Sequence, residues 1–273
     1  MHWRDEDGIR LPAACWRPGP GYRMISSGVL GGGIGPREWV LNAQVSGEYA
    51  RTDPAGHLAE LADQLGLTGP GTGMLTAAQV TGVVTRSDEG AEAAVTAGLR
   101  VPTWAATPGP GGGAADAGLA PGTINIIVSV PVPLTDAALV NAVITATEAK
   151  TQAVLEAGFP GTGTATDAVC VAAPVPAGAA AEDFAGPRSD WGARIARAVY
   201  AAVLAGATAY RADGLPAMPL PAIAGAATRR HDMWCLGLLA LLHMVLLAAG
   251  SAGPPGTRGK EGTRCESGTA PQR

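Results

Sequence analysis

Asn141, Thr145, Glu148 and Gln152 recur at i, i+4, i+7 and i+11. On a helix turning by about 100° per residue they fall on one narrow stripe, with Leu139, Val143, Ala146 and Val154 opposite. A stripe of amide, hydroxyl and carboxylate groups can wall a polar pocket, with Glu148 as acid or base and Asn141 reading an amide. The plainer alternative is a solvated face. Against it, the stripe holds no arginine, the residue this chain otherwise puts in water. Lys150 lies on the same helix but roughly 160° from Glu148, toward the apolar side. It is one of only two lysines, the other being Lys260. Two uses fit it: a snorkelling or carboxylate-paired ammonium, or a desolvated lysine that steadies an oxyanion.

Gly161-Thr-Gly-Thr164-Ala-Thr166-Asp167 follows this helix. Glycines at 161 and 163 let backbone approach a ligand closely, and neighbouring N–H groups can form an anion-holding nest. Thr164 and Thr166 add hydroxyls, and Asp167 could act as a general base. The competing reading is an ordinary turn closed by an aspartate–backbone hydrogen bond. No GxxxxGK[ST] or GxSxG occurs, and Ser26-Ser27-Gly28 alone does not make an amidase. His57 lies one turn into a helix, where a histidine is usually a surface or capping group. No histidine or cysteine pair has metal-ligand spacing, so no zinc site is expected.

The elements that must position these groups can be read from pattern. Two strands are expected within 22–49 around the turn Gly31–Pro36, then a helix from Asp53-Pro54 to about Leu65. Gly69–Gly73 reads as a loop, followed by strands over 74–86 and 91–106. Thr123–Val130 is the clearest strand, and Asn125 lies within it. Asp136 is expected to cap the helix that ends near Gly158, Ala168–Val175 to form a buried strand, and Asp190 to cap a helix over 191–204. Consecutive strands followed by alternation with helices indicate α+β: a mixed, largely antiparallel sheet or sheets packed by two to three long helices.

Residues 1–212 are expected to form the folded domain. Residues 213–273 read as a proline-rich linker, a hydrophobic helix over 233–249 and a disordered tail. That helix would span roughly 25 Å, short of a ~30 Å hydrocarbon core. A membrane anchor and a buried or dimer-forming helix both fit it, so membrane contact is expected only there, and a homo-oligomer is compatible with the second reading.

Apolar residues make up 47% of the 273 but aromatics only 4%, so packing should be close and built on small side chains. A net charge of −4 gives no basis for a nucleic-acid partner. The four scattered cysteines and the polar, acidic opening suit a cytoplasmic protein with free thiols.

Several blocks together resemble the adenosylcobinamide amidohydrolase family of corrinoid salvage enzymes. They are Ser46-Gly-Glu-Tyr49 with Asp53–Leu58, Gly73-Met-Leu-Thr-Ala-Ala78, Gly122-Thr-Ile-Asn-Ile126, Asn141 through Lys150, Gly161 through Ala168, and Phe184–Arg188 with Trp191–Arg194. The set covers roughly residues 22–210. The resemblance implies hydrolysis of the amide joining the aminopropanol arm to the corrin ring's propionate, giving adenosylcobyric acid and 1-amino-2-propanol. The corrin would be the substrate, and no cofactor is expected. Catalysis would fall to Glu148 or Asp167 as base, with Lys150 or the 161–166 loop amides steadying the tetrahedral intermediate. Asn141, Thr145, Thr147, Gly161, Gly163, Thr164, Thr166, Asn125 and His57 would contact the amide-rimmed substrate. A second route is a threonine nucleophile freed by autoproteolysis before Thr123 or Thr164. The alternative from another class is a corrinoid-binding protein without turnover, membrane-tethered or not.

Overall fold

The computed structural model describes residues 1–106, 122–178 and 180–212. In chain order the elements are β1 (His2–Glu6), β2 (Ile9–Trp16), β3 (Tyr22–Ser26), β4 (Gly33–Pro36), β5 (Trp39–Gln44), α1 (Pro54–Gln64) and β6 (Gly71–Thr76). They continue as β7 (Val84–Asp88), β8 (Ala91–Gly98), β9 (Thr123–Ser129), α2 (Asp136–Glu156), β10 (Ala168–Pro174) and α3 (Asp190–Ala212).

The strands form two sheets, one ordered β1-β2-β5-β6 and the other β4-β3-β10-β9-β8-β7. Pairing is antiparallel except for β5 with β6 and β9 with β10. Each parallel pair is joined through a helix, α1 in the first and α2 in the second, as parallel neighbours require. The α+β expectation, with mixed and largely antiparallel sheets and three helices, holds. The hydrophobic segment 233–249 lies outside the described residues, and among those no helix is long and apolar enough to cross a membrane.

Alternation along the strands sorts side chains into layers. Trp39, Leu41 and Ala43 of β5 pack with Leu58, Leu61 and Ala62 of α1 on the outer face of the smaller sheet. Ile124, Ile126 and Val128 of β9 and Val169, Val171 and Ala173 of β10 pack beneath α2 and α3 on the outer face of the larger one. Between the sheets lie Met24, Val40, Met74, Ala168, Cys170 and Ala172. Burial holds the Cys170 thiol well above its ordinary 9.0, at about 12.

The seam between the sheets is also polar. Asn42 Nδ2 donates to Thr96 Oγ1 (3.0 Å) and Asn125 Nδ2 to Asn42 Oδ1 (2.8 Å) and the Leu75 carbonyl (3.0 Å). Thr72 Oγ1 donates to Ser26 Oγ at 2.8 Å. β6 therefore has Thr72 over β3 and Leu75 over β9, and runs across the larger sheet's strands rather than along them.

Three local readings change. The stretch Gly71-Thr72-Gly73, expected as loop, opens β6: a Cβ at Gly71 would collide with the Trp39 ring and one at Gly73 would crowd Leu58, so glycine is what lets these groups pack. The cap of α2 is Thr135, whose side chain accepts from Ala138 N, while Asp136 pairs with Arg23 at 2.6 Å. At the start of α3 it is Ser189 Oγ that accepts from Gly192 N. Asp53 caps α1 as expected, accepting from Gly56 N at 2.9 Å.

Candidate functional site

Asp167 stands immediately before β10, and its carboxylate gathers four donors. Oδ1 accepts from Ile124 N (2.9 Å) and Thr164 Oγ1 (2.5 Å), and Oδ2 from Thr164 N (3.1 Å) and Lys150 Nζ (2.5 Å). Lys150 comes from the C-terminal third of α2, and both side chains are about nine-tenths buried, at 9% and 10% exposure. A carboxylate with all its lone pairs engaged organises its surroundings, and here it ties helix, loop and strand together.

Glycine makes this closeness achievable. A Cβ at Gly163 would stand 2.2 Å from Asp167 Oδ2 and 2.4 Å from Lys150 Nζ. At Gly161 it would meet Thr103 N at 2.7 Å. The loop is pinned on its far side: Thr103 N donates to Gly163 O (2.8 Å), Thr162 N to Thr103 O (2.9 Å) and Thr151 Oγ1 to Thr162 O (3.1 Å).

Hydroxyls surround the pair. Thr166 Oγ1 donates to the Gly122 carbonyl at 3.0 Å and lies 2.7 Å from Thr123 Oγ1, so Thr123 is its donor. Ser27 N donates to Val169 O and Ser27 Oγ accepts from Val169 N, both at 2.9 Å, so the exposed Ser27 sits beside the start of β10. Thr164 is half-buried and Thr166 exposed, so the cluster meets solvent. Asn125 lies two residues inward from Thr123, buried, its Oδ1 without a partner among the described residues. Ser27 was not among the expected site residues, and Thr123 was expected only as a nucleophile freed by autoproteolysis. Ser26-Ser27-Gly28 had been set aside for lack of a GxSxG pattern, and only the β3–β10 pairing reveals where Ser27 stands.

The other expected residues lie apart from this cluster. Thr145, Glu148 and Gln152 line a groove of about 240 Å³ between α2 and α3, together with Pro187, Arg197 and Tyr200. Thr145 is buried and donates to the Ala185 carbonyl at 2.8 Å. Thr147 is exposed and donates to Val143 O of its own helix, and Asn141 is half-buried. The structure thus joins Lys150 to Asp167, Gly161, Gly163, Thr164 and Thr166, and separates all of these from Glu148.

His57 corrects an expectation. It is no surface group: it is 2% exposed. Its Nδ1 lies 3.1 Å from Tyr49 Oη and its Nε2 3.3 Å from Glu6 Oε1. The N-terminal hairpin covers it, and burial pulls the imidazole's pKa down despite Glu6.

Hydroxyls beside a buried ammonium–carboxylate pair form an arrangement with the chemistry to hold a polar ligand by hydrogen bonds. Comparison with known proteins narrows that class. The sequence profile of the adenosylcobinamide amidohydrolases matches residues 3–214. An adenosylcobinamide amidohydrolase of Methanosarcina mazei is 31% identical over 192 residues, covering 68% of this chain and 90% of that protein. The chain belongs to the adenosylcobinamide amidohydrolase family.

Proposed function

We propose that the protein hydrolyses the aminopropanol amide of adenosylcobinamide, releasing 1-amino-2-propanol and leaving adenosylcobyric acid, in the salvage of cobinamide. The observation that carries this reading is the 2.5 Å contact of the Thr164 hydroxyl with Asp167, whose other oxygen is held by Lys150. A hydroxyl hydrogen-bonded to a carboxylate is an activated nucleophile. Thr164 Oγ1 attacks the amide carbonyl carbon and its proton passes to Asp167. The tetrahedral oxyanion is met by loop N–H groups and the Lys150 ammonium. Collapse breaks the C–N bond, and Asp167 returns the proton to the departing amine. Water then hydrolyses the threonyl ester, giving the acid and restoring Thr164. Thr166, Thr123 and Ser27 bind the amide-bearing rim of the corrin, which is substrate and not cofactor. Glu148 lies outside this chemistry.

Purified protein incubated with adenosylcobinamide and followed by mass analysis of the corrinoid tests this. The expected result is conversion by the wild type, a loss of at least about 100-fold in Thr164→Ala and substantial retention in Thr164→Ser. Near-wild-type turnover in Thr164→Ala removes the nucleophile. Intact-mass analysis of the resting protein shows whether the chain is cut before Thr123 or Thr164.

A second reading, a corrinoid binder without turnover, is favoured by one observation: all four acceptor positions of Asp167 are taken at rest. Tight binding of adenosylcobinamide without release of aminopropanol would decide for it.

A further inference from the structure

A second cavity, of about 350 Å³, opens where β5 ends, lined by Glu6, Asp7, Leu11, Ser46, Glu48, Tyr49, Ala50 and Arg51. Nothing in the proposed hydrolysis uses it. Its volume is that of a small-molecule site. Its chemistry follows from which hydrogen-bond roles remain open on its walls.

Three walls are carboxylates: Glu6, Asp7 and Glu48. Glu6 is already engaged, its Oε2 by Arg4 at 2.8 Å and its Oε1 by His57. The lining cation, Arg51, is committed elsewhere, its guanidinium forked onto Glu60 at 2.8 and 2.9 Å, so the carboxylates left open among the described residues are Glu48 and Asp7. Tyr49 would ordinarily be able to donate or accept. Here its proton is spent: Glu6 faces His57 Nε2 and so keeps the ring proton there, leaving Nδ1 to accept from the phenol. Tyr49 Oη consequently presents only lone pairs to the cavity. This hydroxyl–imidazole–carboxylate chain is held rigidly, with the histidine buried and its ring stacked on Tyr49 at 5.6 Å between centroids. The walls therefore offer acceptors, and a matching ligand must bring several donors and positive charge. The carboxylates do not gather closely enough to hold a metal ion, no such group of three occurring among the described residues. Leu11 and Ala50 supply the apolar surface for a short carbon chain.

We propose that this cavity binds a small primary alkylammonium, its N–H groups shared between Tyr49 Oη and the Glu48 carboxylate, with Asp7 adding negative charge. Its ammonium replaces water at the Tyr49 acceptor, which His57 holds in place, and charge-assisted hydrogen bonds to a carboxylate are the strong ones. 1-Amino-2-propanol is a probe of this class, and choosing it rests on the proposed hydrolysis; the class itself does not.

The test titrates the full-length protein with 1-amino-2-propanol and, separately, with 2-propanol, which lacks the ammonium, using calorimetry or isotope-edited NMR. The expected result is saturable binding of the amine alone, weakened about tenfold by Glu48→Gln and by Tyr49→Phe. Glu48 is exposed, so its variant keeps the fold, which circular dichroism checks. Equal responses to both compounds, amine binding unchanged in both variants, or no saturation in the millimolar range each overturn the proposal. Binding is read without turnover, so a protein that binds the amine but leaves the corrinoid intact, or the reverse, separates this site from the hydrolytic one.

Discussion

Lys150 reaches from the C-terminal third of α2 to within 2.5 Å of Asp167, so the helix is bonded to the entrance of the next strand. Both charges are out of water. Such a pair is costly to form, and removing one partner is worse than removing both, since a lone buried charge is left behind.

Lys150→Met is expected to lower stability by about 3–5 kcal/mol, because it strands Asp167. Lys150→Met/Asp167→Asn together should recover part of that loss. Urea unfolding of the three variants measures it; equal stability of wild type and Lys150→Met would mean that the pair is not buried in solution.

Gly163→Ala places a methyl group against both members of the pair. A loss of about 1–3 kcal/mol is expected, together with reduced hydrolysis. Gly82→Ala is the control: its added methyl meets nothing within 4 Å, and a change within about 0.5 kcal/mol is expected. Thermal unfolding of the two side by side checks the contrast.

Alkaline pH should weaken the fold. The native state holds the Cys170 proton up to about 12 against an ordinary 9.0. Burial likewise raises the Tyr49 and Tyr210 phenols. Groups raised in this way contribute stability that is complete below the unfolded value and lost as pH climbs toward the folded one. The urea midpoint should therefore be lower at pH 10 than at pH 8, and Cys170 should resist alkylation at pH 8 until the chain unfolds, as site-resolved mass spectrometry would show.

On the acid side His57 sets the direction. Its folded pKa lies below the ordinary 6.5, so the native state prefers the neutral ring. The stability this gives is present above 6.5 and lost as pH drops below it, where the unfolded chain takes up the proton first. His57→Gln, which keeps an N–H for Glu6 but cannot titrate, should flatten the pH dependence below 6.5.

Much of this was legible in the sequence, for identifiable reasons. Helical periodicity alone turned Lys150 away from Glu148 and offered carboxylate pairing as one of its uses, and the glycine–threonine loop marked Asp167 as a neighbour of chemistry. Periodicity says nothing about partners distant in sequence, so it could not show that Asp167 was the carboxylate Lys150 meets. The Glu6–His57 contact was hidden for the same reason: β1 carries a polar sequence, and its role is visible only once the hairpin folds over α1. β6 escaped because Gly71 and Gly73, ordinarily turn residues, are there for the packing of Trp39 and Leu58. Glu148 was singled out by its stripe, which does form one helix face, yet that face borders α3 and not the loop.

The polar seam between the sheets has a consequence for how the protein is made. Asn42, Thr72, Ser26, Thr96 and Asn125 sit on five different strands and bond across the interface. A one-residue slip of β9 would turn Asn125 into the apolar layer under the helices and carry Thr123 with it, away from Thr166. A chain with misaligned strands would then lack the hydroxyl cluster altogether, instead of carrying a slightly distorted one. Preparations should divide into competent and inert molecules, and specific activity should report the fraction of the sample that has paired its strands correctly.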